Sequence, residues 1–423
     1  MRASVRVASF GSPVMEHIDL LVVGGGAAGF FGAIAAAEKK PGLRVWIVEK
    51  ASQVLGKVRI SGGGRCNVTH ACFEPRPLST RYPRGARALL SAFSRFQPSD
   101  TIAWFEKKGV LLKKEADGRM FPITDSSETI VDCLCVSAER AGIKVRPRCS
   151  LEALNALSQG EWSVLLSDGT RLVARHVLVA TGGCRTGNLP EILRNLGHRI
   201  EPPVPSLFTF HVPKPWIHEL AGLAVPDAHV SVPGTSLKET GPLLMTHWGL
   251  SGPAILRLSA WGARELEASR YQFTVRIQWV SGRTPEVWAG ELQKTRSAFP
   301  GRQVVNTPQA NLPARLWEAL VRQSGIAEAE RWNQLPRPQM MALADLLGRT
   351  ELPVSGKTLH KDEFVTCGGV SLREVDFKTM QSRICPGLFF AGEVLDVDGI
   401  TGGFNFQAAW TTGWIAAQAI TGN

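Results

Sequence analysis

The spacing of apolar and polar positions changes several times along the chain, and each change predicts an element. Residues 19–23 (DLLVV) are almost continuously apolar, as in a strand covered on both faces. A glycine turn then leads into small residues up to Ala37 that predict a buried helix. Residues 44–48 (RVWIV) repeat the strand pattern and end on Glu49. A long irregular stretch follows around 60–69. Helices are expected near 85–96 and 98–108, the second opened by Ser99 or Asp100 as N-cap. Residues 110–114 and 119–122 read as a short hairpin and 127–141 as a helix. Strands are expected at 144–148, 150–156, 162–167 and 172–179, with Asp168-Gly169 as a hairpin turn.

Pro202-Pro203-Val204-Pro205 marks a crossing into a different texture. Residues 205–285 alternate like strands, and 286–350 become helical and rich in Trp, Arg and Pro. From about 361 the glycine-rich strand–turn–helix character returns. The expected organisation is an N-terminal extension at 1–17, a nucleotide-binding domain beginning at 18–204, an inserted substrate domain at 205–360, and the rest of the first domain at 361–423.

Two junctions carry chemistry. In the first, Gly24-Gly25-Gly26-Ala27-Ala28-Gly29 lies between strand and helix, and Glu49 closes the next strand about 20 residues on, the arrangement that binds a dinucleotide. Gly24 serves the tight turn, Gly26 the approach of a pyrophosphate, and Gly29 the close lie of helix on strand. Ala27 and Ala28 open the helix, and Glu49, followed by Lys50, addresses a ribose hydroxyl. Strand 176–180 runs into Thr181-Gly182 as a return strand beneath the nucleotide.

The second junction selects the dinucleotide. Residues 386–393 form a short strand ending in Gly392-Glu393, and Thr401-Gly402-Gly403-Phe404-Asn405-Phe406-Gln407 opens an apolar helix. Two-part FAD-binding folds close over their cofactor with such an element. The acid takes a ribityl hydroxyl, and the helix N-terminus faces the flavin's pyrimidine edge, where reduction places negative charge. Gly392, Glu393, Asp398, Gly402, Gly403, Asn405 and Gln407 are therefore candidates for holding FAD. The plainer alternative is an ordinary strand, loop and helix.

Composition narrows the setting. No long apolar run free of charge and glycine breaks predicts a membrane span. The 8 cysteines show no CxxC spacing and no His partner, so neither a metal site nor a disulfide framework is expected, and a cytoplasmic protein with reduced thiols is. Residues 1–17 lack a signal-peptide core, and Met15 is a plausible start of translation; a transit peptide is the weaker alternative. The net charge of +11 is concentrated: residues 57–119 hold 13 Lys and Arg against 5 Asp and Glu. Such a segment suits a polyanion such as RNA or the phosphates of a nicotinamide cofactor, or is simply a solvated basic face.

On the strings ISGGGRCNVT (60–69), GRMFP (118–122), THWGLSGPA (246–254), CGGV (367–370) and 387–407, the chain resembles the HI0933-like (YhiN/BaiN-like) NAD(P)/FAD-dependent oxidoreductases over nearly all its length after Met15. Two departures suggest a divergent subfamily: a short passage after Gly183, and no lysine near Ser126-Ser127. The resemblance implies an α/β fold with a split, Rossmann-like, two-dinucleotide-type FAD-binding domain, into which a β-barrel-like and a small helical region are inserted. It also implies one of three activities: reduction of a uracil in 23S ribosomal RNA to dihydrouridine, reduction of steroid-like enones, or oxidation of aminoacetone. The fold does not choose among them.

One glycine fingerprint predicts one resident dinucleotide, FAD, with NADH or NADPH as a visiting electron donor. Cys66 is the candidate acid, its pKa lowered by Arg65, in a loop where Gly63, Gly64, Arg65, Asn67 and Thr69 meet the isoalloxazine ring; packing against the ring is the bland alternative. His247 is the second catalytic candidate, or else a structural histidine. The leading expectation is an NAD(P)H-linked reductase of an activated C=C bond, acting on ribosomal RNA held by the 57–119 segment. The rivals are a flavoenzyme for a small amine or enone, and a flavin-binding protein without substrate chemistry.

Overall fold

The computed structural model describes residues 15–157, 160–184, 187–358 and 365–422. Most of the expected N-terminal extension, Arg185 and Thr186 in the passage after Gly183, and the expected boundary at 360–361 lie outside the described residues.

β1 (Glu16–Val23), α1 (Ala27–Lys39) and β2 (Val45–Glu49) form the first unit of a nine-stranded sheet. β1 pairs in parallel with β2 on one side and with strand Arg171–Val179 on the other. Lys144–Pro147 extends the sheet beyond β2 and Leu388–Phe390 beyond Arg171–Val179, both in parallel. The last parallel strand is thus supplied from more than 200 residues downstream of its neighbour. Residues 20–23 of β1 are apolar and buried. α1 and the C-terminal helix Phe404–Ile420 touch through glycines: a Cβ on Gly413 would lie 2.7 Å from the Ala28 carbonyl oxygen.

Residues 209–358 build a seven-stranded antiparallel sheet, ordered 350–354, 273–278, 224–231, 238–246, 249–251, 209–211, 356–358. Its edge strands adjoin through Ser355, and no ladder joins them among the described residues. Helices Pro285–Ala298, Ala314–Gln323 and Arg337–Arg349 bury Trp288, Trp317 and Leu343 in the same core as Val275 and Ile277. That core is separate from the one beneath the nine-stranded sheet.

Four local expectations need correction. The stretch after Glu49 contains helix Gly56–Gly64, broken at Ser61–Gly63, where Gly62 and Gly63 take φ of +59° and +68°; its glycines hide it from periodicity. The N-cap of helix Pro98–Lys107 is Gln97, whose N–H donates to Asp100 at 2.8 Å, so Asp100 occupies the third position of a capping box. Pro202–Pro205 is part of strand Ile200–Ser206, paired with Val365–Val370 as a two-stranded ribbon between the cores. A register shift between Glu201 and Val204 accommodates the prolines. Helices Pro253–Trp261 and Ala263–Ala268 interrupt the region read as strands.

His176, on the long central strand, has its pKa pushed down to about 4, chiefly by burial, with Arg175 adding to it. Unfolded, it titrates near 6.5. The unfolded chain therefore takes up the proton first, and stability should fall as pH drops from about 6.5 toward 4, by roughly 2 kcal/mol. Urea midpoints in His176→Leu should lose that part of the slope; an unchanged slope would assign it elsewhere.

Candidate FAD-binding site

The carboxyl ends of β1, β2 and Arg171–Val179 finish level, where open α/β sheets place their ligands. Gly24 turns the chain at φ +114°, and a Cβ there would lie 2.4 Å from the Ala180 carbonyl oxygen. A Cβ on Gly29 would lie 2.0 Å from the Gly24 carbonyl oxygen, so α1 rests directly on the turn. Gly26 has open space where a side chain would be. α1 begins with no side-chain cap and no acid in its first turn, which leaves its amide donors aimed into that opening. Glu49 reaches back to the same place: the Gly25 and Ala51 amides donate to its two oxygens, each at 2.8 Å. Each oxygen keeps capacity for a hydroxyl donor.

The opposite wall comes from the far end of the chain. A Cβ on Gly392 would lie 2.9 Å from Ala28 Cβ, so the C-terminal segment packs straight onto the start of α1. Glu393 accepts from the Thr366 amide at 2.8 Å and from Lys57 Nζ at 2.5 Å. Gly182 faces that ion pair: a Cβ there would lie 3.8 Å from Glu393 Oε2 and 3.9 Å from Lys57 Nζ. Thr181 is half-buried beside it, Ala27 is half-buried and Ala28 buried. Gly63 and Gly64 are exposed with open space where a Cβ would lie, and Lys50 is exposed beside Glu49.

These residues fit FAD. Amides and an open glycine stand where a pyrophosphate would lie, with a carboxylate on each side at the places of the two sugar-like portions. Glu49→Gln should weaken FAD binding to the apoprotein about tenfold, the worth of one charge-assisted hydrogen bond. Fluorescence titration measures it, and equal affinity would remove Glu49 from the site.

Several candidate residues turn inward instead. Cys66 has no exposed surface; burial pushes its thiol up to about 12. The expected lowering by Arg65 does not occur, because that guanidinium pairs with Glu115 at 2.7 Å and lies 4.0 Å from the Phe121 ring centroid. Asn67, with its amide oriented to satisfy both ends, donates to the Met120 and Thr69 carbonyls and accepts from the Gly403 amide at 2.9 Å. Thr69 donates to Gln407 at 2.6 Å, and Gln407 also accepts from Thr101 at 3.0 Å with no exposure of its own. Asn405 clasps the Gly399 amide and carbonyl, each at 2.8 Å. These side chains therefore hold the GRCN string against the Gly402-Gly403 turn rather than reaching out to a ring.

Asp398 is also turned away from the groove. Its fully buried carboxylate meets Arg84 Nε at 2.5 Å and Ser206 Oγ at 2.7 Å. Burial pushes its pKa up, while Arg84 and Ser206 pull against that. His247 is exposed at the turn between strands Lys238–Thr246 and Gly249–Ser251, within the inserted sheet.

Sequence reasoning missed His70, although it directly follows the ISGGGRCNVT string. Its ring stacks on Phe404 at 4.7 Å, and Nε2 lies 3.1 Å from the Asp117 carbonyl oxygen. A carbonyl only accepts, so Nε2 carries the proton and the buried Nδ1, which has no partner, is the bare nitrogen. Lys57 was missed too, because its partner lies 336 residues away.

The fold and groove define a flavoprotein oxidoreductase with a Rossmann-type FAD-binding domain. The model of the HI0933-like protein Rossmann domain matches residues 18–419, and the chain belongs to the HI0933-like family. It is 33% identical over 416 residues to the ribosomal RNA dihydrouridine synthase of Escherichia coli, covering 96% of this chain and 98% of that one. It is 29% identical to the 3-dehydro-bile acid delta(4,6)-reductase of Clostridium scindens, covering 94% and 98%. Among solved structures, 3-ketosteroid delta1-dehydrogenase from Sterolibacterium denitrificans superposes with a TM-score of 0.52 at 14% identity, over 96% of this chain and 100% of that one. That likeness is one of fold.

Proposed function

We propose that the protein is an FAD-dependent reductase that takes electrons from NADH or NADPH and saturates an activated C=C bond, with a uracil of 23S ribosomal RNA as substrate. The observation that carries the reading is the meeting of two glycine turns from opposite ends of the chain around one groove, with Glu49 on one wall and Glu393 on the other. The 33% identity to an enzyme named for ribosomal RNA directs the choice of substrate.

Bound there, FAD would supply two-electron transfer to an electron-poor carbon. Gly24, Gly26 and the amides at the start of α1 bind the pyrophosphate. Glu49 and Glu393 would accept from hydroxyls, and Gly26 leaves room for close approach, while Gly392, Gly402 and Gly403 let the closing segment pack against Ala28, Phe404 and Thr69. Lys57 holds Glu393 in place. Cys66 is too deeply buried to hand a proton to a substrate. Among the described residues no helix is long and apolar enough to cross a membrane, and all eight cysteines are free.

The test is ribosomal RNA from a deletion strain, which should lack one dihydrouridine that returns on complementation. An unchanged modification profile counts against the substrate. A small enone is the second reading, favoured by one observation: Lys57, Arg59, Arg65, Arg84, Lys108, Lys113 and Arg119 are all neutralised by acids of the chain itself, which weakens the basic segment as a field. Steady turnover of a cyclic enone by a protein that binds no RNA would establish it.

A further inference from the structure

The basic segment is not uniformly neutralised. Arg76, Arg81, Arg87, Lys107 and Lys114 are exposed and form no ion pair among the described residues. Arg81 and Lys114 both lie within electrostatic reach of His70, and Arg81 within reach of Cys72. His70 and Lys114 stand on the two strands that flank Arg119–Pro122: His70 pairs with Arg119, and Lys114 with Met120. Phe73 follows directly, 47% exposed, with Arg76 on the short helix Pro75–Ser79 behind it. Glu74 and Asp117 are the acids nearby, and Asp117 is taken by Arg119. Exposed cations without ion pairs therefore share this stretch of chain with an exposed aromatic ring.

This surface borders the groove. His70 Cδ2 is 3.6 Å from where a Cβ on Gly402 would lie, and its ring rests on Phe404, at the start of the helix that closes the groove. We propose that Phe73, Arg76, Arg81 and Lys114 form the platform on which single-stranded RNA docks, its phosphates on the three cations and an unstacked base on the Phe73 ring. Charge complementarity selects a polyanion, and the exposed ring selects one whose bases are free to stack rather than a closed duplex. The inference rests on the RNA reading above and names the residues that would deliver the strand to the groove.

The experiment measures binding of the holoenzyme to a fluorescent, uridine-rich RNA of about 12 nucleotides, within the usual site size for single strands, by anisotropy across a salt series. Arg81→Gln with Lys114→Gln should lower affinity and flatten the slope of log K against log salt by about 1.4, two phosphates' worth. Phe73→Ala should weaken binding about tenfold with the slope kept, and Phe73→Tyr should restore it. NAD(P)H-driven bleaching of the flavin should be unchanged in all three. Wild-type affinity and slope in both Phe73→Ala and the double variant overturn the platform and leave the RNA reading standing. Competition by a duplex as strong as by the single strand overturns the stacking. A wild-type protein that binds no RNA, with dihydrouridine retained in the deletion strain, overturns the RNA reading and the platform with it.

Discussion

Replacing Arg84 with methionine is expected to cost about 3–5 kcal/mol of folding stability, the effect of stripping one partner from a buried ion pair. The Asp398 carboxylate has no exposed surface, and nothing else nearby carries a positive charge to it at hydrogen-bond distance. Arg84 also donates to the Ala260 carbonyl at 2.6 Å. One guanidinium thus joins the first part of the nucleotide domain, the inserted region and the C-terminal closing loop. Against a typical total of about 5–15 kcal/mol, the loss is large. Urea unfolding followed by tryptophan fluorescence measures it. The double variant Arg84→Met with Asp398→Leu should recover most of the loss, because apolar replacement of a whole buried pair is nearly neutral. A single variant that unfolds at the wild-type midpoint would show that Asp398 is solvated or protonated without cost.

Gly29→Val should abolish retention of the cofactor, leaving the purified protein colourless. The Cβ would sit 2.0 Å from the Gly24 carbonyl oxygen, a backbone atom held by the turn, and valine adds two methyls to it. Neither side can give way: Gly24 N–H donates to the Val48 carbonyl at 2.8 Å, and α1 is pinned from behind by the C-terminal helix through Gly32 and Gly413. Overpacking costs of about 1–3 kcal/mol, here concentrated on the amides that face the pyrophosphate, correspond to losses in FAD affinity of up to roughly 100-fold. The ratio of flavin absorbance to protein absorbance reads the outcome, with far-ultraviolet circular dichroism as the check on folding. A yellow, folded Gly29→Val protein would mean that the dinucleotide lies elsewhere.

The glycine turn, its flanking strands and the closing element were legible because their physics is local. A continuous apolar strand, a turn that only glycine can make and a carboxylate at the end of the next strand are contiguous signals. The helix Gly56–Gly64 was not legible, since its glycines conceal the period and the surrounding packing holds it. The roles of polar residues were the least legible. Asn67, Asn405, Gln407 and Asp398 have the side chains of ligand-binding residues, yet each satisfies its hydrogen bonds within the protein.

What the residue order determined alone was the class of fold and the glycine turn between the first strand and helix, because turn chemistry and strand burial are written within short windows. Which cations remain available, which thiol is sealed off and which acid faces the groove were decided only when distant segments met. Lys57 finds Glu393 across 336 residues and Arg84 finds Asp398 across 314. A side chain's charge, solvation and reach depend on its spatial neighbours, and those are supplied by the fold as a whole.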